Sequence, residues 1–501
     1  MHVSDIKRFL RCPRLYHLSL ENRLKFHLYF NISTDINVSI AKKLKIEKYY
    51  VGLPNQESSD TFLAANDYNW IFKARFSYKG LRIRVPLLYI DSDRCDVYSI
   101  LFSTQALEDE GKNMAYIRQV LEGNNLKIDN YYILFLNKDY VFEDCLDDEK
   151  LWLLTDQFIR DGKECGNIKD YVENFDLDLD EILYMMDTSE IELPVRTNKC
   201  TGKNRCPFYY DCFPIEKTIA DNSILTLVSS QYKYDMFEDG IKYLKDADLK
   251  KVEGNKVQMA QIQADLNGGL YVDEKALADW LSQLKLPISF IDFEWDLFPI
   301  PPYKDMKVMD VLVFQYSLHV FDGKKLSHYE FIGEGDNRKQ LVLSLLENIP
   351  VEGSVVAYNA TGAEKLRIKE FADYFPECSE KLLEINERLI DMAIPFTSGF
   401  VYDIKMRGSF TLNSIENMID DSCTYDDLEV SDGMQAVKMH REMSKCKNEK
   451  QKQLYKEQLL QYCGLDSYSL YKIYKWLNKV LSDYRNRQNI GGIQYESKCL
   501  F

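Results

Sequence analysis

Asp292 and Glu294 close an apolar run that begins Pro287-Ile288-Ser289-Phe290-Ile291. Side chains alternate along an extended strand, so both carboxylates project from one face. Neighbouring like charges repel unless a cation neutralises them. Hard divalent cations such as Mg²⁺ or Mn²⁺ prefer oxygens of this kind. Two such ions, about 3.5–4 Å apart, can clamp the attacking and leaving oxygens of an in-line phosphoryl displacement. Three later segments follow in an order that completes such a site. Ala357-Tyr358-Asn359-Ala360-Thr361-Gly362-Ala363-Glu364 reads as a strand, a turn and a helix, presenting Glu364 with Asn359 beside it. Arg388-Leu389-Ile390-Asp391-Met392 reads as a short apolar strand carrying an acid. Tyr462 and Asp466 stand four apart and share a helix face, so the tyrosine can orient a water while the aspartate binds metal.

A second constellation is made of cysteines. Cys12 sits in Phe9-Leu10-Arg11-Cys12-Pro13-Arg14-Leu15-Tyr16, far from Cys200, Cys206 and Cys212, which follow one another at gaps of five residues. Structural zinc sites usually pair cysteines two to four residues apart, which these gaps do not match. Four thiolates, two of them followed by proline, suit a [4Fe–4S] cluster, with zinc or unrelated buried thiols as the alternatives. The remaining eight of the 12 cysteines have no ligand spacing and read as small core residues.

The elements that must position these groups fall into two α/β regions. In the first, Ser4 is the expected N-cap of a helix over residues 6–10. Strands are expected over Asn69–Phe76, Leu81–Ile90, Val97–Phe102 and Tyr131–Leu136, with a helix near Asn113–Glu122. Residues 143–190 read as acidic and mostly helical. Helices over Leu225–Leu244, Val257–Asp265 and Asp273–Leu284 suggest a connector. In the second region strands are expected from Ile288, over Val308–Val320 and at 355–358, before helices that end with Gln453–Leu481. Acids on the early strands of a mixed sheet followed by helices give the outline of an RNase H-like fold.

Composition limits the function classes. The 501 residues suit two or three domains, and 46% hydrophobic with 28% charged residues read as globular throughout. The polar start and the lack of a long apolar stretch point to a cytoplasmic protein with no membrane partner. No phosphate-loop motif appears, which argues against an ATP-driven motor. Net charge is −16, yet residues 1–90 hold 15 lysines and arginines against 7 acids, a surplus of 8, so the remainder carries −24. A basic end beside an acidic body suits a nucleic-acid guide attached to a metal site. Lys7, Arg8, Arg11 and Arg14 are the candidate phosphate contacts, and the acidic 143–190 segment is a candidate docking site for a protein partner.

The acids with Tyr462-x-x-x-Asp466 resemble the DEDD exonuclease superfamily, in its subgroup with a Tyr-x-x-x-Asp third motif. The resemblance assigns Asp292 and Glu294 to the first motif, Glu364 to the second, and Tyr462 with Asp466 to the third. It implies an RNase H-like domain over 286–501 that removes 3′-terminal nucleotides with two Mg²⁺ or Mn²⁺ ions held by Asp292, Glu294, Glu364 and Asp466. A single-stranded end is the implied substrate, DNA ahead of RNA, in repair or defence. One departure stands out: the second motif usually reads Asn-x-x-Phe-Asp, whereas here Asn359 precedes a glutamate by five positions. Phe314-Gln315-Tyr316-Ser317-Leu318-His319 and Gly408-Ser409-Phe410-Thr411-Leu412 look like an uncharacterised bacterial domain-of-unknown-function family of that superfamily. The cysteine pattern with Arg11–Tyr16 resembles the iron–sulfur RecB-like nucleases of the PD-(D/E)XK class, including those of CRISPR adaptation. That likeness implies a PD-(D/E)XK-like domain over 1–215, stapled by a [4Fe–4S] cluster on Cys12, Cys200, Cys206 and Cys212, with residues 216–285 as a helical connector. The runs Arg84–Leu88 and Tyr98–Thr104 supply neither the Asp nor the Glu-x-Lys of that class, so its catalysis is expected to be lost and its grip on nucleic acid kept. The rival expectation is a non-catalytic nucleic-acid-binding protein or a subunit of a larger processing complex.

Overall fold

Two β-sheets, each packed against helices, make this an α/β protein. The computed structural model describes residues 1–22, 24, 30–191, 193–201, 205–252, 254–420, 429–430 and 432–490. They form two compact units: Met1–Pro214 with Leu297–Val311, and Ile215–Asp296 with Leu312–Phe501. Two of the cysteines, Cys423 and Cys499, and part of the turn between Cys200 and Cys206 lie outside the described residues. Among the described residues no helix is long and apolar enough to cross a membrane.

Unit 1 opens with helices α1 (Val3–Arg11) and α2 (Pro13–Glu21). Its six-stranded sheet runs in chain order: β1 (Tyr49–Val51), β2 (Trp70–Tyr78), β3 (Leu81–Asp91), β4 (Arg94–Leu101), β5 (Lys127–Leu136) and β6 (Trp152–Thr155). Helix α3 (Glu108–Gly123) makes the crossover that lets β4 and β5 run parallel. It packs Met114, Ile117, Val120 and Leu121 into one core with Ile71, Phe76, Ile83 and Val85. The four strands and the helix read from the sequence are all present, with ends displaced by up to five residues.

Three local expectations are corrected. Ser4 is not the cap: helix α1 starts at Val3, and the Asp5 carboxylate accepts the His2 backbone N–H at 2.8 Å. Residues 143–190 are not mostly helical, because β6 is followed by a hairpin of Gln157–Arg160 and Lys163–Asn167. Asp161 and Gly162 turn that hairpin with φ of 51° and 77°, the left-handed pair that an Asp-Gly step favours. Nor is Leu225–Leu244 one helix. Ser229 and Gly240 take positive φ and leave short turns around a helix of only Lys233–Glu238. The 216–285 stretch is stitched into unit 2. Leu270–Val272 pairs antiparallel with Val401–Asp403, and buried Gln261 Nε2 donates to the Thr226 carbonyl and the Tyr402 hydroxyl, both at 3.0 Å.

The main sheet of unit 2 contains β7 (Ile288–Phe298), β8 (Asp310–Phe321), β9 (Leu326–Ile332), β10 (Ser354–Ala357) and β11 (Leu389–Asp391), in the order β9-β8-β7-β10-β11. Strands β7, β10 and β11 are parallel, while β8 and β9 are antiparallel. Ile291 and Phe293 of the central strand enter one core; Ile288 and Phe290 enter the other. That second core also takes Leu470, Ile473 and Leu477 from the last helix, α6 (Glu449–Ile490). With 42 residues, α6 is about 63 Å long. Helix α4 (Glu364–Tyr374) follows β10, and α5 (Gly433–Lys445) precedes α6.

Helix α5 is locked to the sheet at two points. Arg441 meets Asp296 of β7 with two hydrogen bonds, at 2.9 and 2.5 Å. His440 stacks on Phe314 at 3.9 Å between centroids and donates from Nε2 to the Gly333 carbonyl at 2.9 Å. The Asp296 side chain is only 3% exposed, so removing its partner strands a charge in the interior. Arg441→Ala is expected to cost about 3–5 kcal/mol in the urea-induced unfolding of unit 2. Replacing both members by leucine should recover most of that loss, and a single-variant loss below about 1 kcal/mol would contradict the anchoring role.

Candidate metal centre

Strand β7 changes character halfway along one face. Ile288 and Phe290 bury against α6, and the next positions on that face are Asp292, Glu294 and Asp296. Asp296 has Arg441 as its cation. Neither Asp292 nor Glu294 meets a lysine or arginine among the described residues. Helix α6 crosses at this point and brings Asp466, 5% exposed, to Glu294, 9% exposed, and to half-buried Asp292. Carboxylate oxygens of Asp292, Glu294 and Asp466 all lie within 4.8 Å of one another. Among the described residues this is the one group of three or more Asp, Glu, His or Cys ligand atoms gathered so closely.

Glu364 opens α4 beside this trio and is 3% exposed. Its Oε2 has no hydrogen-bond partner. The turn that delivers it is pinned by Asp391 of β11, whose Oδ1 accepts the backbone N–H groups of Asn359 and Ala393, each at 2.9 Å. Asn359 takes φ of 52° there, a conformation that asparagine tolerates better than most residues. Tyr462 lies one helical turn before Asp466, buried in an apolar cluster with Val430, Ala436 and Met443.

Burial is the first cause of the electrostatic state of these acids, and their mutual repulsion the second. Desolvation pushes Asp292 well above the usual carboxylate range, helped by Asp466, Glu294 and Glu364. Glu294 is raised in the same way by burial, Asp466, Glu364 and Asp432. Burial lifts Glu364 to about 8, with Asp391 and Asp466 adding to it while its own backbone N–H and Arg367 oppose.

Two contributors escaped the sequence reading. Cys463, taken for a plain core residue, donates its S–H to Asp292 Oδ2 at 3.4 Å. Burial and the surrounding carboxylates hold this thiol neutral, which keeps it a donor. Its spacing gave a signal, since Cys463 and Asp466 are three apart on one helix face. The other contributor is the first turn of α5: a methyl group at Gly433 would sit 3.6 Å from Glu294 Oε2, and its N-cap Asp432 adds a further like charge beside this carboxylate. Nothing local in the sequence announces that approach.

In unit 1, Cys12, Cys200, Cys206 and Cys212 line one cavity of about 380 Å³. Cys12 separates α1 from α2. The Cys206 N–H donates to the Cys200 carbonyl at 3.1 Å, and Arg14 Nε donates to Cys212 Sγ at 3.3 Å. Burial pushes the Cys206 thiol up, opposed by the Phe208 backbone and the nearby Arg11 guanidinium. The four basic residues beside the first cysteine all hold partners within this unit. Lys7 bonds Asn113, Arg8 pairs with Asp5 at 2.7 Å, Arg11 donates to the Lys199 carbonyl at 2.7 Å, and Arg14 holds Cys212.

A family model described as Domain of unknown function (DUF2779) matches residues 289–411. That span carries Asp292, Glu294, Glu364 and Asp391, and ends before Tyr462 and Asp466. No curated protein and no solved structure matches the chain.

A pH dependence follows from the raised carboxylates. Their folded pKa values exceed the unfolded ones, so the stabilising protonated form is fully present below the unfolded values near 4–4.5 and is lost as pH rises through the folded values. In EDTA, the melting temperature of unit 2 is expected to fall between about pH 5 and pH 8, the window that Glu364 sets. Millimolar Mg²⁺ or Mn²⁺ should raise it and flatten the slope. Glu364→Gln should also reduce the slope, and a flat metal-free profile would contradict the buried ionisable cluster.

Proposed function

We propose that the protein is a metal-dependent 3′→5′ exonuclease that hydrolyses the terminal phosphodiester of a nucleic-acid strand. One observation carries the reading: the carboxylates of Asp292, Glu294 and Asp466 converge within 4.8 Å of one another beneath the crossing of α6 and β7. At that separation and an effective dielectric near 20, each ionised pair repels by about 3.5 kcal/mol. A fully ionised trio would then cost about 10 kcal/mol, comparable with the whole stability of a domain. Divalent cations remove that cost, and an all-oxygen donor set suits Mg²⁺ or Mn²⁺. Asp292, Glu294, Asp466 and Glu364 are the residues that would hold two such ions. When bound, these would supply a polarised water and charge neutralisation at the scissile phosphate.

The chain's own groups prepare the site. Cys463 fixes the rotamer of Asp292 through Oδ2. Tyr462, one turn from Asp466, is the residue we assign to positioning the attacking water. The mixed sheet, with its acids on the central first strand and a helix crossing it, supports an RNase H-like reading of unit 2. Polarity and the preference for a single-stranded end, DNA ahead of RNA, come from the resemblance to the Tyr-containing DEDD exonucleases. In unit 1, four thiols around one cavity, with Arg14 and Arg11 beside them, support a [4Fe–4S] cluster on a PD-(D/E)XK-like scaffold that holds substrate.

End-labelled single-stranded DNA and RNA, incubated with Mg²⁺, Mn²⁺ or EDTA, should show a ladder shortening from the 3′ end only with metal. Asp292→Ala should lower the rate by at least about 10³-fold, because one ligand to the ions is lost. Degradation that persists in EDTA or in Asp292→Ala would remove this site from the reaction. Nucleic-acid binding without turnover in any metal would favour a non-catalytic binder. Separately, protein purified without oxygen should contain iron and acid-labile sulfide, both lost in Cys206→Ser. Stoichiometric zinc instead would replace the cluster with a thiolate zinc site.

A further inference from the structure

Strands β2 and β3 set Arg75 directly opposite Arg84, and the next pair on that face sets Ser77 opposite Arg82. Like charges facing each other across a ladder destabilise a sheet. The ladder is interrupted one step away, where Lys73 and Pro86 have no register partner. Lys73 takes φ of 54°, and Pro86 has no N–H to give. The interruption shifts the alternation. Ile71, Ala74, Phe76, Ile83, Val85 and Leu88 all enter the core shared with α3, whereas Phe72 and Leu87 enter the opposite one. Arg75, Arg82 and Arg84 therefore share the sheet face that α3 leaves uncovered.

Arg82 has Glu57 at 3.1 Å. Neither Arg75 nor Arg84 has a carboxylate partner among the described residues, although the chain carries 79 acids to 63 lysines and arginines. Arg75 Nε is buried without any hydrogen-bond partner, and Arg84 is exposed. Burial and the charges of Arg84 and Arg82 pull the Arg75 guanidinium below its ordinary value, so these cations sense one another. The same face continues into partly buried Trp70, Tyr89 and Tyr132 around buried Tyr98: Trp70 lies 4.9 Å from Tyr89 and 5.4 Å from Tyr98, and Tyr98 stacks on Tyr132 at 4.9 Å. Guanidinium forks match phosphate oxygens, and flat aromatic faces accept unpaired bases.

We propose that Arg75 and Arg84, flanked by Lys73 and Arg82, form a phosphate-binding surface for a single nucleic-acid strand on unit 1. The proposal rests on nucleic acid being the substrate and names where the non-catalytic unit grips it. The cations beside Cys12 are turned to internal partners; this pair is not.

The test uses the full chain and a ~20-nucleotide fluorescein-labelled single strand in EDTA, with anisotropy read across a salt series. Arg75→Gln with Arg84→Gln should weaken binding on the order of tenfold, and the slope of log affinity against log salt should become shallower by ~1.4, from ~0.7 per lost contact. Arg84→Lys alone should keep the slope. The double variant should melt at the wild-type temperature or above it, since opposed charges have been removed. Unchanged affinity and slope, a lowered melting temperature, or equal competition by polyglutamate would each overturn the proposal. If no form degrades nucleic acid yet binding still depends on Arg75 and Arg84, the nuclease reading falls and the strand surface stands.

Discussion

Asp292, Glu294 and Asp466 are held closer together than three carboxylates would choose to lie, and much of unit 2 serves to keep them there. The first half of β7 is anchored on both faces by Ile288, Phe290, Ile291 and Phe293, so its acidic half cannot swing toward solvent. Leu470, Ile473 and Leu477 seat α6 on that same core and fix the height at which Asp466 arrives. Arg441 neutralises Asp296, the third acid of the row, and thereby leaves the negative potential concentrated on the other two. Apolar burial supplies the restoring force. At about 25 cal/mol per Å², roughly 400 Å² of buried apolar area offsets the ~10 kcal/mol of repulsion in a fully ionised trio. The scaffold can thus hold the carboxylates in a repulsion that protonation or a bound cation relieves.

Glu364 shows how the same constraint operates from the backbone. Its position depends on a turn whose amides are collected by Asp391, a side chain on the neighbouring strand. Asp391 accordingly acts as a brace, with its oxygen committed to two N–H donors. That brace also accounts for the unusual distance between Asn359 and Glu364: the asparagine occupies a left-handed corner, and the longer glutamate reaches from the first position of α4.

Most of this was legible because it obeys short periods. The two-residue alternation of Asp292 and Glu294 and the four-residue spacing of Tyr462 and Asp466 each identify a face without knowledge of the fold. The longer central strands of both sheets were legible for the same reason, whereas Tyr49–Val51, Trp152–Thr155 and Leu326–Ile332 were not read as strands. What stayed hidden depends on long-range partners. Asp296 continues the visible alternation, but its cation lies 145 residues later, on a helix whose approach no local pattern encodes. Cys463 looked apolar because a buried thiol is usually that, and its donor role exists only once Asp292 faces it. The errors in 143–190 and 225–244 had a different origin, since acidic or apolar content was allowed to outweigh Asp161-Gly162 and Gly240, residues that end regular structure through positive φ.

Unit 1 presents the opposite electrostatic problem. Its core strands carry no close carboxylate trio among the described residues, and on one sheet face it keeps two arginines opposed and unneutralised. A chain with a net charge of −16 has ample acid to pair every exposed cation. Arg75 and Arg84 instead face each other across the ladder, a repulsion that the anion proposed above would relieve. The two units thus share one physical logic with reversed sign: each concentrates like charge where the fold forbids relaxation, so that a ligand of opposite charge gains affinity from strain already present. For a strand of nucleic acid, the arginines answer the phosphates directly. On the proposed function, the carboxylates would answer them through the cations they hold.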